Sequence, residues 1–353
     1  MERKLLLKGA EAIGEAAIRS GCTRFYGYPV PNQSDLMEYL VRKEGEGELV
    51  SVFQAEDPRA AFFMAYGAAI GGARVLTAVN SIDVADALYA ASYFYAMEIP
   101  VVCVVFTQSG PGSGNIYPEQ SDVLAVLYGN RRGDAFVPVY TPSLSTDCAA
   151  LTHTAFEVAE RYRMPVFLLV DAACAQLTET VDFGAMRWRE IPSDRPIVLD
   201  KKEKGFRRFT TLALKIEEME EKKAVYREKR EAFFEREKGK YKVVGEENEN
   251  LVVAYGIGAV QAQRALNELK AGGIPLTVFE LSSLNPFPAE AFRMAAEKAK
   301  NLFILELSEG QLREILMSYL PDSGSGRLLS KTGGFVPRVE EIVHWIQSEV
   351  KTI

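Results

Sequence analysis

The chain has 353 residues, 48% of them hydrophobic, and a formal net charge of -7 at pH 7. That length can bury a full core and leaves room for two domains. Lys and Arg are interspersed with Asp and Glu, so there is no basic stripe to follow a phosphate backbone, and no nucleic-acid partner is expected.

The opening MERKLLLKGAEAIGEAA soon turns into an amphipathic helical pattern, without the short apolar run and small-residue cleavage site of a secretory signal. A cytoplasmic location is expected. From Arg24 to Val170, short apolar and β-branched runs alternate with helix-length amphipathic stretches, the pattern of a parallel sheet with helices on its faces. The predicted strands are Arg24 to Tyr28, Leu49 to Phe53, Arg74 to Val79, Pro100 to Phe106, Phe136 to Tyr140 and Pro165 to Val170. The most apolar stretch, Ala60 to Val79, contains Gly67, Gly71, Gly72 and Arg74. Apolar helix packing explains it better than a bilayer span, and no membrane association is expected.

Composition changes near Asp182, and a long charged helix is predicted within Lys215 to Tyr241. Leu212, Ile216, Met219, Val225, Tyr226, Phe233 and Phe234 give this region only a thin apolar stripe, which suits a connector lying on a domain or a partner. From Asn250 a second unit follows: NLVVAYG, a helix from Ile257, PLTVFE, a helix from Pro288, NLFILEL, a helix from Gln311 and a terminal helix from Val336 to Val350. The expected fold class is α/β with two parallel-sheet domains, residues 1–183 and 249–353, joined by a charged helical linker, 184–248.

Cys22, Cys103, Cys148 and Cys174 are far apart, with no CxxC pair to hold an iron–sulfur cluster or zinc. Cys103, inside IPVVCVVF, reads as a small buried hydrophobe. His153 and His344 each fall on a predicted helix, where packing or surface roles are the default, and no metal site is expected in this chain.

Ligands of parallel sheets gather at the carboxyl ends of the strands. Four polar or glycine-rich loops follow predicted strands there: Gly27 to Asp35, Gln54 to Ala61, Val79 to Asp83 and Gln108 to Asn115. Glu56 is the titratable group of most interest, because it follows the apolar strand LVSVF and precedes a tightly packed helix. By position alone it also reads as a carboxylate complementing a helix N-terminus. GPGSGN can be a phosphate cradle or a tight turn; it matches neither the dinucleotide nor the Walker A fingerprint, and AYGIGAVQA lacks the three-glycine spacing.

Taken together, GAEAIGEAAIRSGCTRFYGYPVPNQSDLMEYL, FQAEDPRAAFFMAYGAAIGGARVLTAV, SGPGSGNIYPEQSD, AERYRMPVFLLVDA, LVVAYGIGAVQAQRAL, LNPFP and ILELSEGQL resemble, in order and spacing, the alpha subunit of 2-oxoacid:ferredoxin oxidoreductases, in particular the 2-oxoglutarate type with separate alpha and beta chains. The resemblance spans nearly the whole chain. It implies a pyrimidine-binding thiamine diphosphate domain followed by a transketolase C-terminal-like domain. It also implies oxidative decarboxylation of a 2-oxoacid to acyl-coenzyme A and carbon dioxide, with electrons passed to ferredoxin. Glu56 falls on the family's cofactor glutamate, a buried carboxyl that hydrogen-bonds the aminopyrimidine ring nitrogen, and Tyr28 and Pro29 fall beside the cofactor.

The family's diphosphate and magnesium site is a GDG motif on the beta subunit, whereas the GD pair here, Gly133 and Asp134, is followed by Ala135. The resemblance therefore implies a beta subunit that shares the thiamine diphosphate and carries Mg2+. An iron–sulfur cluster is implied on that subunit or on a ferredoxin-like delta subunit, and a gamma subunit can also be present.

Three departures cluster at the substrate end. Pro31 stands where the family has a threonine that contacts the substrate carboxylate, Gln108 stands where it has an arginine, and Asn80-Ser81-Ile82-Asp83 replaces a serine-glycine-proline-glycine loop. A glutamine cannot hold an anion as a bidentate arginine does. Substrate contacts are accordingly expected from Pro31, Asn32, Gln108, Gly110 and Asn115. The alternatives are a non-catalytic scaffold or regulatory paralogue, or a split-chain thiamine diphosphate decarboxylase.

Overall fold

A computed structural model describes residues 3–129, 132–191, 209–320 and 326–351. Residues 192–208 of the predicted linker lie outside the described residues. The strands of the N-terminal part are β1 (Lys4–Lys8), β2 (Arg24–Gly27), β3 (Ser51–Gln54), β4 (Val75–Asn80), β5 (Val101–Thr107), β6 (Val139–Tyr140), β7 (Pro165–Asp171) and β8 (Thr178–Asp182). The main sheet runs β6-β7-β5-β4-β2-β3, parallel throughout, which makes β3 an edge strand. β1 and β8 pair antiparallel as a separate ribbon that the sequence pattern did not reveal.

Side-chain alternation along β5 divides the core in two. Val102, Val104 and Phe106 enter one apolar cluster with the helices Gly9–Arg19 and Ser145–Tyr162. Val101, Cys103 and Val105 enter another with the helices Pro58–Ile70 and Val84–Ala96. Because both faces are covered, β4, β5 and β7 are buried along their whole length, as continuous apolar runs in parallel sheets are.

The C-terminal part adds β9 (Tyr241–Val244), β10 (Asn250–Ala254), β11 (Thr277–Leu281), β12 (Ser283–Asn285), β13 (Asn301–Glu306) and β14 (Gly326–Ser330). Its sheet runs β14-β13-β10-β11-β9, parallel except for β9. β9 thus falls inside the region read as linker. β12 leaves this sheet and pairs antiparallel with β6, becoming the outermost strand of the first sheet. The two sheets are further joined by a continuous core, since Leu251 and Val253 of β10 belong to the same cluster as Val101 and Val105 of β5.

The charged helix spans Ile216–Arg236 and lies on the first sheet's helical layer. Only part of its predicted stripe docks. Phe233 is fully buried against Phe136 and Tyr162, and Tyr226 packs on Tyr95, while Leu212, Ile216 and Val225 face solvent. Among the described residues no helix is long and apolar enough to cross a membrane.

Candidate active site at the carboxyl edge of the first sheet

The loops after β2, β3, β4 and β5 all emerge at one edge of the sheet, as parallel strands require. Hydrogen bonds between loops give this rim its shape. Asn80 Nδ2 donates to Pro31 O at 2.7 Å and to Gln108 Oε1 at 2.9 Å, tying together the loops after β2, β4 and β5. Gln108 N donates to Ser81 Oγ at 3.3 Å, and Ser81 in turn hydrogen-bonds Asp122. Burial holds the Asp122 carboxyl above the ordinary aspartate range; the Ser81 bond opposes this and the nearby Glu119 charge adds to it.

Asn32, in a left-handed conformation at φ 67°, donates from Nδ2 to Ile116 O at 3.2 Å and so closes the first loop on the glycine-rich one. That glycine-rich loop is a tight turn: Asn115 N donates to Ser109 O at 3.0 Å, and the Gly110–Pro111 peptide is cis. Gly114, at φ 45°, cannot be another residue here, because a Cβ would lie 1.7 Å from Ser109 O. Asn115 Nδ2 donates to Gly333 O at 3.3 Å, bringing a loop of the C-terminal part to the rim.

Glu56 follows the edge strand β3 and is exposed, with no side-chain partner among the described residues. The family glutamate was expected to be buried; within this chain it is open, directly after the strand that ends the sheet. It does not cap the following helix. Asp57 does that, accepting from Ala60 N at 2.6 Å, with Pro58 in the first turn. Beside it Phe53 is 39% exposed and stacks on Tyr26 at 5.1 Å between centroids.

The other expected site residues are distributed as follows. Tyr28 is half-buried, and Pro29, Pro31 and Gly110 are exposed on the rim. Asn32 is largely buried, and Asn115 is half-buried. Gln108 is only 5% exposed and lies behind the rim with its carbonyl engaged by Asn80. Gln33 Nε2, Asn80 Oδ1, Thr107 Oγ1 and Glu119 Oε2 are buried at this edge without a partner among the described residues.

Sequence reasoning missed the groups that lock the C-terminal part against this edge. Asp171 closes β7; its carboxylate accepts from Cys174 N and from Ile257 N, both at 2.8 Å, and so caps helices in both halves of the molecule. Gln120 donates to Tyr255 O at 3.0 Å and accepts from Leu307 N at 3.0 Å, while its own N–H donates to Leu307 O at 2.7 Å. Asp171 had a local signal, an acid at the end of PVFLLV directly before a helical stretch. Gln120 had none.

Gly133 and Asp134 are engaged elsewhere, with Lys223 of the charged helix bonded to Gly133 O at 2.7 Å and paired with the Asp134 carboxylate. Among the described residues no group of three His, Cys, Asp or Glu side chains is placed to hold a metal ion.

Two family profiles cover the chain. Residues 15–245 match one described as pyruvate flavodoxin/ferredoxin oxidoreductase, thiamine diphosphate-binding, and residues 248–342 match pyruvate:ferredoxin oxidoreductase core domain II. Among curated relatives, ketoisovalerate oxidoreductase subunit VorB of Methanothermobacter marburgensis is 31% identical over 344 residues, covering 97% of both chains. The 2-oxoglutarate synthase subunit KorA of Archaeoglobus fulgidus is 29% identical over 316 residues, covering 87% of this chain and 89% of that one. The fold is similar to a solved 2-oxoglutarate:ferredoxin oxidoreductase from Magnetococcus marinus, with a TM-score of 0.88 at 20% identity, covering 99% of this chain and 66% of that one. A split-gene transketolase, described as an inactive beta4 tetramer, is a more distant structural neighbour, with a TM-score of 0.62 at 14% identity. The chain thus belongs to the pyruvate flavodoxin/ferredoxin oxidoreductase family, with its thiamine diphosphate-binding domain followed by core domain II.

Proposed function

We infer that this chain is the pyrimidine-side subunit of a thiamine diphosphate-dependent 2-oxoacid:ferredoxin oxidoreductase, active only when a second subunit completes the cleft. The observation that carries this reading is Glu56: an unpartnered, exposed carboxyl at the open edge of a sheet whose rim loops otherwise bond to one another. The residues fit one wall of a thiamine site, since Glu56 offers a carboxyl to a ring nitrogen, and Tyr28, Pro29 and the part-exposed Phe53 belong to the adjoining strand ends, where Ala55 N donates to Gly27 O at 2.9 Å. When bound, thiamine diphosphate supplies the carbanion stabilisation that lets a 2-oxoacid lose carbon dioxide. Glu56 holds or shares a proton at the pyrimidine ring, and the rim loops orient the substrate and exclude water.

The second wall belongs to a beta-type partner. The helix starting directly after Glu56 and Asp57 exposes Phe63 and Met64, and Phe63 lies edge-on to Tyr89 at 6.3 Å and to Tyr93 at 6.5 Å. Such a patch, on the helix that follows Glu56, suits a protein interface. The diphosphate and Mg2+ site and the iron–sulfur cluster are assigned to partner subunits, because this chain's GD pair is bonded to Lys223 and its four cysteines are buried, with a single pair, Cys148 and Cys174, in contact at 3.6 Å. Ferredoxin accepts the electrons and coenzyme A the acyl group, with the assembly in the cytoplasm, where four free thiols persist.

The test is Glu56→Ala in the co-purified complex. It should abolish 2-oxoacid-dependent reduction of a viologen dye while the subunits still co-elute. Retained turnover would remove Glu56 from the mechanism.

A further inference from the structure

The relatives' names do not choose a substrate, since ketoisovalerate and 2-oxoglutarate enzymes both align over most of the chain. The two acids differ at one end. Both carry the carboxylate lost as carbon dioxide, but 2-oxoglutarate has a second, distal carboxylate, and ketoisovalerate has a branched aliphatic group there.

The rim differs in its welcome to these two ends. The loops 27–33, 54–57, 80–83 and 108–117 contain no Lys, Arg or His. Their charged groups are Glu56, Asp57 and Asp83, with Glu119 and Asp122 behind them. Burial, with the charge of Asp86, already pushes the Asp83 carboxyl above the ordinary aspartate range, so this end of the rim is hostile to further negative charge. The nearest cation along the chain, Arg59, lies over the Tyr89 ring at 5.2 Å.

The open side chains are apolar instead: Ile82 is 45% exposed, Ile116 53% and Tyr117 60%. Ile116 is brought to the first loop by the Asn32 bond, and Ile82 sits two residues beyond the Asn80 that grips Pro31. The amides nearby are partly engaged, Asn32 with Ile116 O and Asn115 with Gly333 O, and a neutral amide is no match for a guanidinium in holding a desolvated carboxylate.

Resting on the oxidoreductase reading above, we propose that this rim selects a 2-oxoacid with an uncharged aliphatic side chain, and that Ile82 and Ile116 set that preference. A distal carboxylate would be stripped of water beside acids, on rim loops that carry no Lys, Arg or His to meet it, while Lys331 near the Gly333 contact is paired with Glu341. An aliphatic end would instead cover isoleucine surface that is otherwise wet.

The experiment uses the co-purified complex of the full chain with its partner subunits. Viologen reduction with ketoisovalerate should exceed that with 2-oxoglutarate by at least about tenfold in kcat/KM. Ile82→Arg and Ile116→Arg, both at exposed positions, should narrow that ratio by lowering the KM for 2-oxoglutarate. Calorimetric titration should show tighter 2-oxoglutarate binding in the variants than in the parent complex. Equal or better turnover of 2-oxoglutarate by the parent complex, or an unchanged ratio in both variants, would overturn the proposal. Absence of turnover with every 2-oxoacid would instead overturn the oxidoreductase reading, and the specificity proposal with it.

Discussion

At the junction between the two sheets Asp171 and Gln120 bond to backbone groups of both parts, whereas the rim a few residues away leaves several buried polar atoms without a partner among the described residues. At the junction Asp171, although fully buried, accepts from backbone N–H groups on both sides, and Gln120 makes three bonds into the C-terminal part. At the rim Gln33 Nε2, Asn80 Oδ1 and Glu119 Oε2 are buried without a partner among the described residues, and Glu56 stands in solvent. Buried polar groups are normally bonded, so Asp171 and Gln120 mark where the halves lock together, and the open rim atoms mark a surface free to take up further bonds. The segment 115–124 belongs to both, running from the Asn115 contact with Gly333 past Gln120 to Leu124, whose N–H donates to Gln311 Oε1 at 3.1 Å.

The largest effect should come from breaking the junction at Gly256. This residue adopts φ 57°, and a Cβ there would lie 2.1 Å from Asp171 Oδ2. Gly256→Ala must therefore strain the backbone and push the carboxylate off Ile257 N. Summing the left-handed strain and a lost charge-assisted bond gives a destabilisation of about 3 kcal/mol. Denaturant unfolding measures it; a loss under about 1 kcal/mol would mean that the halves shift apart without cost and that the junction is not closed in the sense described.

The same contrast explains what was legible in the sequence. β4, β5 and β7 stood out as apolar runs because both faces of the sheet are covered. β9, with alternating exposure on an edge, and β12, three residues long, carry no such run, and both take their order from strands distant in the chain. The run from Phe136 was read as a strand, yet only Val139–Tyr140 pairs; Pro138 has no N–H to give, and Phe136 turns to meet Phe233 and Phe234. Glu56 was legible because an acid directly after an apolar strand is a local feature. The Gln120 bridge joins residues 135 and 187 apart in sequence, and no local pattern announces that.

A smaller effect, with a pH signature, is expected at Glu306, which ends β13 beside the junction. Its carboxylate is fully buried and accepts from Leu312 N at 2.7 Å, from Arg313 N at 3.3 Å and from Ser308. Burial nonetheless holds its pKa above the ordinary glutamate value, the hydrogen bonds opposing the shift only in part. A raised folded-state pKa means that the group's contribution is fully present below the unfolded value and is lost as pH rises through the folded one. Glu306→Gln keeps one acceptor oxygen and cannot ionise. The stability difference should therefore move in the variant's favour as pH is raised across that window, by at most about 1.4 kcal/mol per pH unit. A difference independent of pH would show that Glu306 is as well solvated in the native state as in the unfolded one.

The smallest change in stability is expected at the rim itself, and its sign is what matters. Gln33 is 1% exposed, and its Nε2 has no partner among the described residues. Removing an amide that bonds nothing, with a side chain of similar length and volume, costs no hydrogen bond and relieves a buried polar group. Gln33→Met should therefore leave unfolding unchanged or raise stability by up to about 1 kcal/mol, opposite in sign to Gly256→Ala at the junction. If Gln33→Met were destabilising by a similar amount, the amide would be bonded to something outside this chain even before assembly. The rim would then be as closed as the junction, and the contrast between the two regions would fail.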